Sequence, residues 1–367
     1  ANGATGYVMR RFYELMRSWL PVRWRSSMGW YMMWITTLLT FALGNALALG
    51  LGAYLLSKGS ISLGTVYLIF YFTNLLNDPL EQIRQQLQQL QQAGAGVARI
   101  RQLLGTQPTI VDGPGQRLPA GALTVEFREV NFHYTEDKPT LESINFSLHA
   151  GKVLGVLGRT GSGKTTLARL LLRLYDVSEG EICLGGVPLR QMAMRELRQH
   201  IGMVTQDVQL FHASVRDNLT YFNPQIRNER ILEAIEDLGL LNWYHSLPDG
   251  LETLLGSDGE GLSAGEAQLL AFTRVFLADP GLVILDEASS RLDPATEQLI
   301  EQAVSKLLAG RTGIIIAHRL ATIQRADEIL VLEDGHVLEH DTRKELATDT
   351  TSRFYHLLQT GLEEVLA

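Results

Sequence analysis

Gly158-Arg159-Thr160-Gly161-Ser162-Gly163-Lys164-Thr165-Thr166 is the stretch around which the chain is organised. It fits the phosphate-loop pattern G-x-x-x-x-G-K-[ST] at every fixed position. Val153-Leu154-Gly155-Val156-Leu157, just before it, reads as a buried strand. Leu167, Ala168, Leu170, Leu171 and Leu172, just after it, carry a helix. Glycines let the backbone curl so that several N–H groups converge on one anion. The helix N-terminus adds unpaired donors and partial positive charge. All nine residues, Gly158 to Thr166, are therefore candidate contacts to a nucleotide. Lys164 is expected to place an ammonium on its outer phosphates, and the Thr165 hydroxyl to ligate Mg²⁺.

Working outward, the pattern from Leu123 on is that of an α/β domain. Strand runs recur at 123–127, 153–157, 182–184, 201–205, 282–286, 313–317 and 328–333. Helical runs between several of them predict a mainly parallel sheet with helices on its faces. A helical block over 213–280 interrupts the alternation as an inserted subdomain. Gly105 to Gly121, with Pro108, Gly113, Pro114, Gly115 and Pro119, reads as a linker.

The N-terminal third differs in kind. Residues 1–28 are basic and aromatic, with five Arg and one Glu. Trp30 to Leu56 holds no charged residue over 27 positions, enough to cross a bilayer core as a helix. Trp30, Tyr31 and Trp34 suit one interface and Tyr54 the other. After a short loop at Ser57–Ser60, residues 61–77 are again uncharged. Two membrane helices, about 30–56 and 61–78, are expected to form a tight hairpin. Five Arg before the first span against one Lys in the loop place the loop outside and both flanks in the cytoplasm. A signal peptide is unlike this, because the apolar stretch is too long. Beyond Pro79, Ile83, Leu87, Leu90, Val97 and Leu104 keep three- and four-residue steps through a glutamine-rich stretch, so the helix is expected to continue to residue 104.

The net charge of −8 is uneven: +4 over 1–28, +2 over 29–121 and −14 over the rest. An acidic large domain argues against nucleic acid as a partner. The single cysteine, Cys183, excludes an intrachain disulfide and fits a reducing compartment. The chain begins with Ala rather than Met, as a processed chain or a fragment does.

Leu282-Val283-Ile284-Leu285-Asp286-Glu287 is an apolar strand ending in two carboxylates. Ligands of open α/β sheets bind beyond the carboxyl ends of the strands. Asp286 is then a second candidate for Mg²⁺, and Glu287 for polarising an attacking water. Between the two phosphate motifs lies Leu262-Ser263-Ala264-Gly265-Glu266-Ala267-Gln268. This resembles the signature loop of ATP-binding cassette (ABC) ATPases, usually L-S-G-G-Q. Other marks follow in the family's order. Gln206 looks like the Q-loop glutamine, Ser289-Ser290-Arg291-Leu292-Asp293 like the D-loop, and His318 like the switch histidine. Tyr134 matches the aromatic that stacks on adenine. The resemblance covers about 122–360, leaving 361–367 as a tail, and residues 1–104 resemble the last two membrane helices of an ABC exporter. That family carries six, so the first four are expected to be missing here.

The resemblance implies an α/β P-loop NTPase (ABC ATPase) domain with an inserted helical subdomain, preceded by an all-α membrane hairpin. It implies ATP and Mg²⁺, with Glu287, His318 and Gln206 catalytic and Thr165, Gln206 and Asp286 at the metal. It also implies that Ser263, Gly265 and Asp293 serve a nucleotide shared with a second half-transporter chain, in a homo- or heterodimer. Ala264, Glu266 and Arg291 depart from the usual residues, and Glu266 brings a carboxylate toward an anion unless it turns away or pairs with a base. The expected function is an ATP-hydrolysing exporter subunit in the plasma or inner membrane of a bacterium, its ATPase domain cytoplasmic. The competing readings are a membrane-tethered nucleotide-binding regulator and a soluble ATPase of DNA repair or translation. The last is disfavoured by the membrane spans and the acidic domain.

Overall fold

The computed structural model describes residues 4–135, 138–205, 207–256, 262–286, 294–316 and 323–360. They belong to two units, Ala1–Gln107 and Pro108–Ala367.

The first unit is helical. Thr5–Ser57 (α1) runs for 53 residues, about 80 Å at 1.5 Å per residue. Hydroxyls inside its apolar half bond to their own backbone: Thr36 donates to Met32 O at 2.7 Å, Thr37 to Met33 O at 2.9 Å and Thr40 to Thr36 O at 2.8 Å. Such bonds satisfy polar groups where no water would reach them. Gly59, at φ 70°, turns the chain. Ser62 then caps Leu63–Leu75 (α2) by accepting from Thr65 N at 3.2 Å. Gly52 is the buried residue of α1, and a Cβ there would lie 3.1 Å from Val66 Cγ1. The missing side chain is what lets α2 lie against α1.

The stretch expected as a second span, 61–78, is divided between two helices. The helix breaks at Leu76, and Asn77–Leu104 (α3) starts afresh. Pro79 is the cause. It lacks an N–H, and its ring clashes with the carbonyl four residues back, at Leu75, so it is tolerated only in a helix's first turn. At 13 residues α2 is about 20 Å long, short of the ~30 Å hydrocarbon core. Among the described residues, α1 is the one helix long and apolar enough to cross a membrane.

The second unit holds two sheets. Val125–Thr135 (β1), Lys138–Leu148 (β2), Glu179–Leu184 (β4) and Val187–Pro188 (β5) form an antiparallel sheet in the order β2-β1-β4-β5. Val153–Gly158 (β3), Ile201–Val204 (β6), Leu282–Asp286 (β7), Thr312–Ile316 (β8), Glu328–Glu333 (β9) and His336–Thr342 (β10) form the other, ordered β10-β9-β3-β8-β7-β6. It is parallel except for β10, which pairs antiparallel with β9 at the edge. The mainly parallel sheet is as expected, but the runs at 123–127 and 182–184 fall in the separate antiparallel sheet as β1 and β4, and β2, β5 and β10 have no counterpart in the sequence reading.

Strand periodicity builds the two cores. Leu154, Val156, Leu282, Ile284, Ile314, Ile316, Leu330 and Leu332 face the antiparallel sheet and Lys164–Leu171 (α4). Val153, Leu157, Val283, Leu285, Ile315, Ile329 and Val331 face the other way, into the helices that follow β6. Successive strand side chains point to opposite faces, so nearly continuous apolar runs signal a sheet covered on both sides. After Met194–His200 (α5), the inserted block holds Val215–Thr220 (α6), Asn228–Asp237 (α7), Leu241–Ser246 (α8) and Ala264–Ala278 (α9). It occupies the crossover between the neighbouring strands β6 and β7. Pro294–Leu308 (α10), Arg343–Thr348 (α11) and Arg353–Thr360 (α12) complete the unit.

Part of the stretch read as a linker is bonded to this unit. Gly113 N donates to Met192 O at 3.0 Å, Gln116 N to Gln191 O at 3.1 Å, and Met194 N to Asp112 Oδ1 at 2.7 Å. The buried Arg173 clasps the segment from below, reaching Val111 O at 2.9 Å, Leu189 O at 3.2 Å and Asp176 Oδ1 at 2.9 Å.

Candidate functional site

The phosphate loop leaves β3 at the centre of the parallel sheet. Gly158 sits at φ 151°, and a Cβ there would come within 2.3 Å of Leu332 O and 2.5 Å of Ser162 Oγ. Gly163, at φ 106°, is the N-cap of α4, and a Cβ on it would strike Leu141 Cδ2 at 2.4 Å. Both positions need glycine for conformation and for space. Ser162 N donates to Arg159 O at 3.1 Å, closing the turn.

Lys164 opens α4 with its side chain buried. Its ammonium donates to Gly158 O at 2.6 Å and Arg159 O at 3.0 Å, so the charge is folded over the loop. Ser162 is buried, and its hydroxyl has no hydrogen-bond partner among the described residues. A buried polar group without a partner is costly. One inside a glycine cradle at a helix start is what a bound phosphate group would satisfy. Thr165 is exposed at the rim. Asp286 ends β7, and β8 separates it from β3. The two strand axes are about 10 Å apart, so Asp286 and Thr165 both lie at the carboxyl edge.

Tyr134, near the end of β1, lies over the start of α4. Its hydroxyl is 3.3 Å from Thr166 Oγ1 and accepts from Arg169 Nη1 at 3.2 Å. Its ring meets Phe132 and Tyr175 nearly at right angles, with centroids 4.9 and 5.1 Å away. The bond to Tyr134 raises the pKa of Arg169, and the nearby Asp286 carboxylate adds to the shift.

Ser263 is the N-cap of α9. Its hydroxyl accepts from Glu266 N at 3.2 Å, and Glu266 Oε2 accepts from Ser263 N at 2.7 Å. This is a reciprocal capping box, and it disposes of the Glu266 carboxylate by turning it onto the first N–H of its own helix. Gly265 is buried in the first turn.

Gln206, Glu287, Asp293, the rest of the D-loop and His318 lie outside the described residues. The segment following Gln206 is held firmly. Arg274 of α9, itself buried, donates to Gln209 O at 2.9 Å, Asn218 O at 2.6 Å and Asn218 Oδ1 at 2.9 Å. Asn218 in turn takes Phe211 N at 2.8 Å and returns a bond to Phe211 O at 2.9 Å. Burial lowers the Arg274 pKa from its ordinary value. Sequence reasoning missed Arg169, Arg173 and Arg274. No sequence signal marked Arg169, because its partner Tyr134 lies in another element and only the fold brings the two together.

Residues 141–290 match the family profile of ABC transporters. That stretch carries the family's ATPase domain. It is 35% identical over 312 residues to YknV, an uncharacterised ABC transporter ATP-binding protein of Bacillus subtilis, covering 84% of this chain and 51% of that one. It is also 35% identical over 323 residues to an ATP-dependent lipid A-core flippase of Syntrophus aciditrophicus, covering 88% and 53%. The structure of a bacterial Atm1-family ABC exporter with ATP bound superposes with a TM-score of 0.72 at 28% identity, over 98% of this chain and 63% of that one. The chain thus spans about half the length of the curated relatives it matches. Its α/β unit has the ABC ATPase fold.

Proposed function

We propose that the chain is the ATP-hydrolysing part of an ABC exporter half-transporter, coupling nucleotide turnover to movement of a solute across a membrane. The observation that carries the reading is the phosphate loop, where a folded lysine and an unpartnered buried serine sit in a cradle that only glycine allows. The exporter names of the relatives and the long apolar α1 support the membrane role.

In this reading the Lys164 ammonium and the Ser162 hydroxyl bind phosphate oxygens, and the N–H groups at the start of α4 orient them. Tyr134 offers its ring to the base. Thr165 and Asp286 would hold Mg²⁺, which neutralises charge on the outer phosphates. Glu287 orients and polarises the attacking water, and His318 holds the terminal phosphate opposite Lys164. Gln206 links the nucleotide to the membrane part. Ser263 and Gly265 of the partner subunit close each site, so ATP joins two ATPase units and hydrolysis releases them. The bacterial relatives and the basic start of α1 support a plasma or inner membrane, with the ATPase unit in the cytoplasm.

The test is turnover. Purified protein should show vanadate-sensitive ATPase activity. Glu287→Gln should abolish it while ATP still binds, and Lys164→Ala should weaken binding itself. Unchanged turnover in Glu287→Gln would refute the assignment of the base.

A further inference from the structure

We propose that Arg169 is a positioning residue for nucleotide binding: it latches the Tyr134 ring to the phosphate-loop helix before any nucleotide arrives. The inference rests on reading Tyr134 as the platform for the base, and it adds a residue to which no motif points.

The chemistry gives the hydrogen bonds a direction. A guanidinium has donors and no acceptor. The Tyr134 oxygen, 3.2 Å from Arg169 Nη1, must therefore accept. Its own proton is left to point at Thr166 Oγ1, 3.3 Å away. The chain runs Arg169 to Tyr134 to Thr166, and it begins and ends on α4. Tyr134 belongs to a different sheet from β3, so without this latch two separate elements would set the distance between base platform and phosphate cradle. Phe132 and Tyr175 fix the ring edge-on, but aromatic edges restrain tilt more than reach. Two hydrogen bonds to one helix fix the reach. Tyr134 remains 43% exposed, so the latch does not bury the ring it holds. A side chain held in its binding conformation loses less freedom when the ligand arrives.

Arg169 is exposed and lies within electrostatic range of Asp286. Direct contact with the nucleotide is therefore the rival explanation, and the experiment has to separate the two. Affinity for MgATP and for inorganic tripolyphosphate, which has no base, would be measured on the whole chain together with KM and kcat. The variants are Tyr134→Ala, Tyr134→Phe, Arg169→Ala, Arg169→Lys and the Tyr134→Phe/Arg169→Ala pair.

The expected result is that Tyr134→Phe and Arg169→Ala each weaken MgATP binding about 3- to 10-fold, the range of one or two net hydrogen bonds. The effect should fall on KM, tripolyphosphate affinity should not move, and Arg169→Lys should recover much of the loss. In the Tyr134→Phe background, Arg169→Ala should add nothing. Full additivity, or an equal loss of tripolyphosphate affinity, would overturn the latch in favour of direct contact. No loss in Arg169→Ala while Tyr134→Ala binds poorly would overturn the latch alone. Unchanged affinity in Tyr134→Ala would remove the platform reading beneath it.

Discussion

Glu266 shows how one side chain can serve its own helix and oppose a ligand. Its carboxylate caps Ser263 N at 2.7 Å. Caps of this kind are worth about 0.5–2 kcal/mol, and a negative charge is favoured at a helix start. A phosphate brought to the same helix start would meet that charge. Glutamine keeps an oxygen for the cap and removes the charge; alanine removes both. We therefore expect Glu266→Gln to strengthen ATP-dependent pairing of two chains several-fold, and Glu266→Ala to lower stability by about 1 kcal/mol. Light scattering with and without ATP, in a Glu287→Gln background, reads the first, and chemical denaturation the second. Pairing no tighter in Glu266→Gln than in the parent would mean that the charge is already neutralised by its cap.

At the scale of elements, α9 does two jobs. Its start presents Ser263, and eleven residues on Arg274 grips the loop after Gln206 and the body of α6. Removing the guanidinium leaves two backbone carbonyls and the Asn218 amide oxygen short of a charged donor in a buried place. Arg274→Ala should cost about 2–4 kcal/mol, seen as a lower denaturation midpoint, and turnover should fall further than folded fraction explains. A loss below 1 kcal/mol would show the grip to be dispensable. Elements like α9 and β3 were legible because their apolar residues follow one period and their ends carry chemistry. β2 was not, because Ser143, at φ 48°, breaks its alternation into two short pieces. β10 was not, because an edge strand with one exposed face needs few apolar residues. The break at Leu76 was only half legible: Pro79 marked a boundary, but it acts on the carbonyl four residues upstream. The phosphate loop could be read residue by residue, since conformation and chemistry both constrain it. Arg169 and Arg173 could not, because their partners lie in other elements and only the fold brings them near.

For the whole molecule, composition divides the chain where the structure does. The basic, apolar N-terminal third is helical, and the acidic remainder builds two sheets around two cores. The clasp of Arg173 on Val111 has a practical consequence for anyone cutting the chain. Broad-specificity proteases select backbone that can leave its hydrogen bonds. Residues 112–116 are stitched to 191–194, whereas 107–110 make no such bonds among the described residues. Limited digestion should therefore nick between Gly105 and Ile110, as mass spectrometry of the fragments would show, and cuts inside 112–116 would contradict the stitching. An excised ATPase fragment starting at Leu123, just before β1, would leave the buried Arg173 short of an acceptor. The better starting point for a soluble fragment lies upstream of Val111, and the first dozen residues of such a fragment belong to its fold rather than to its tether.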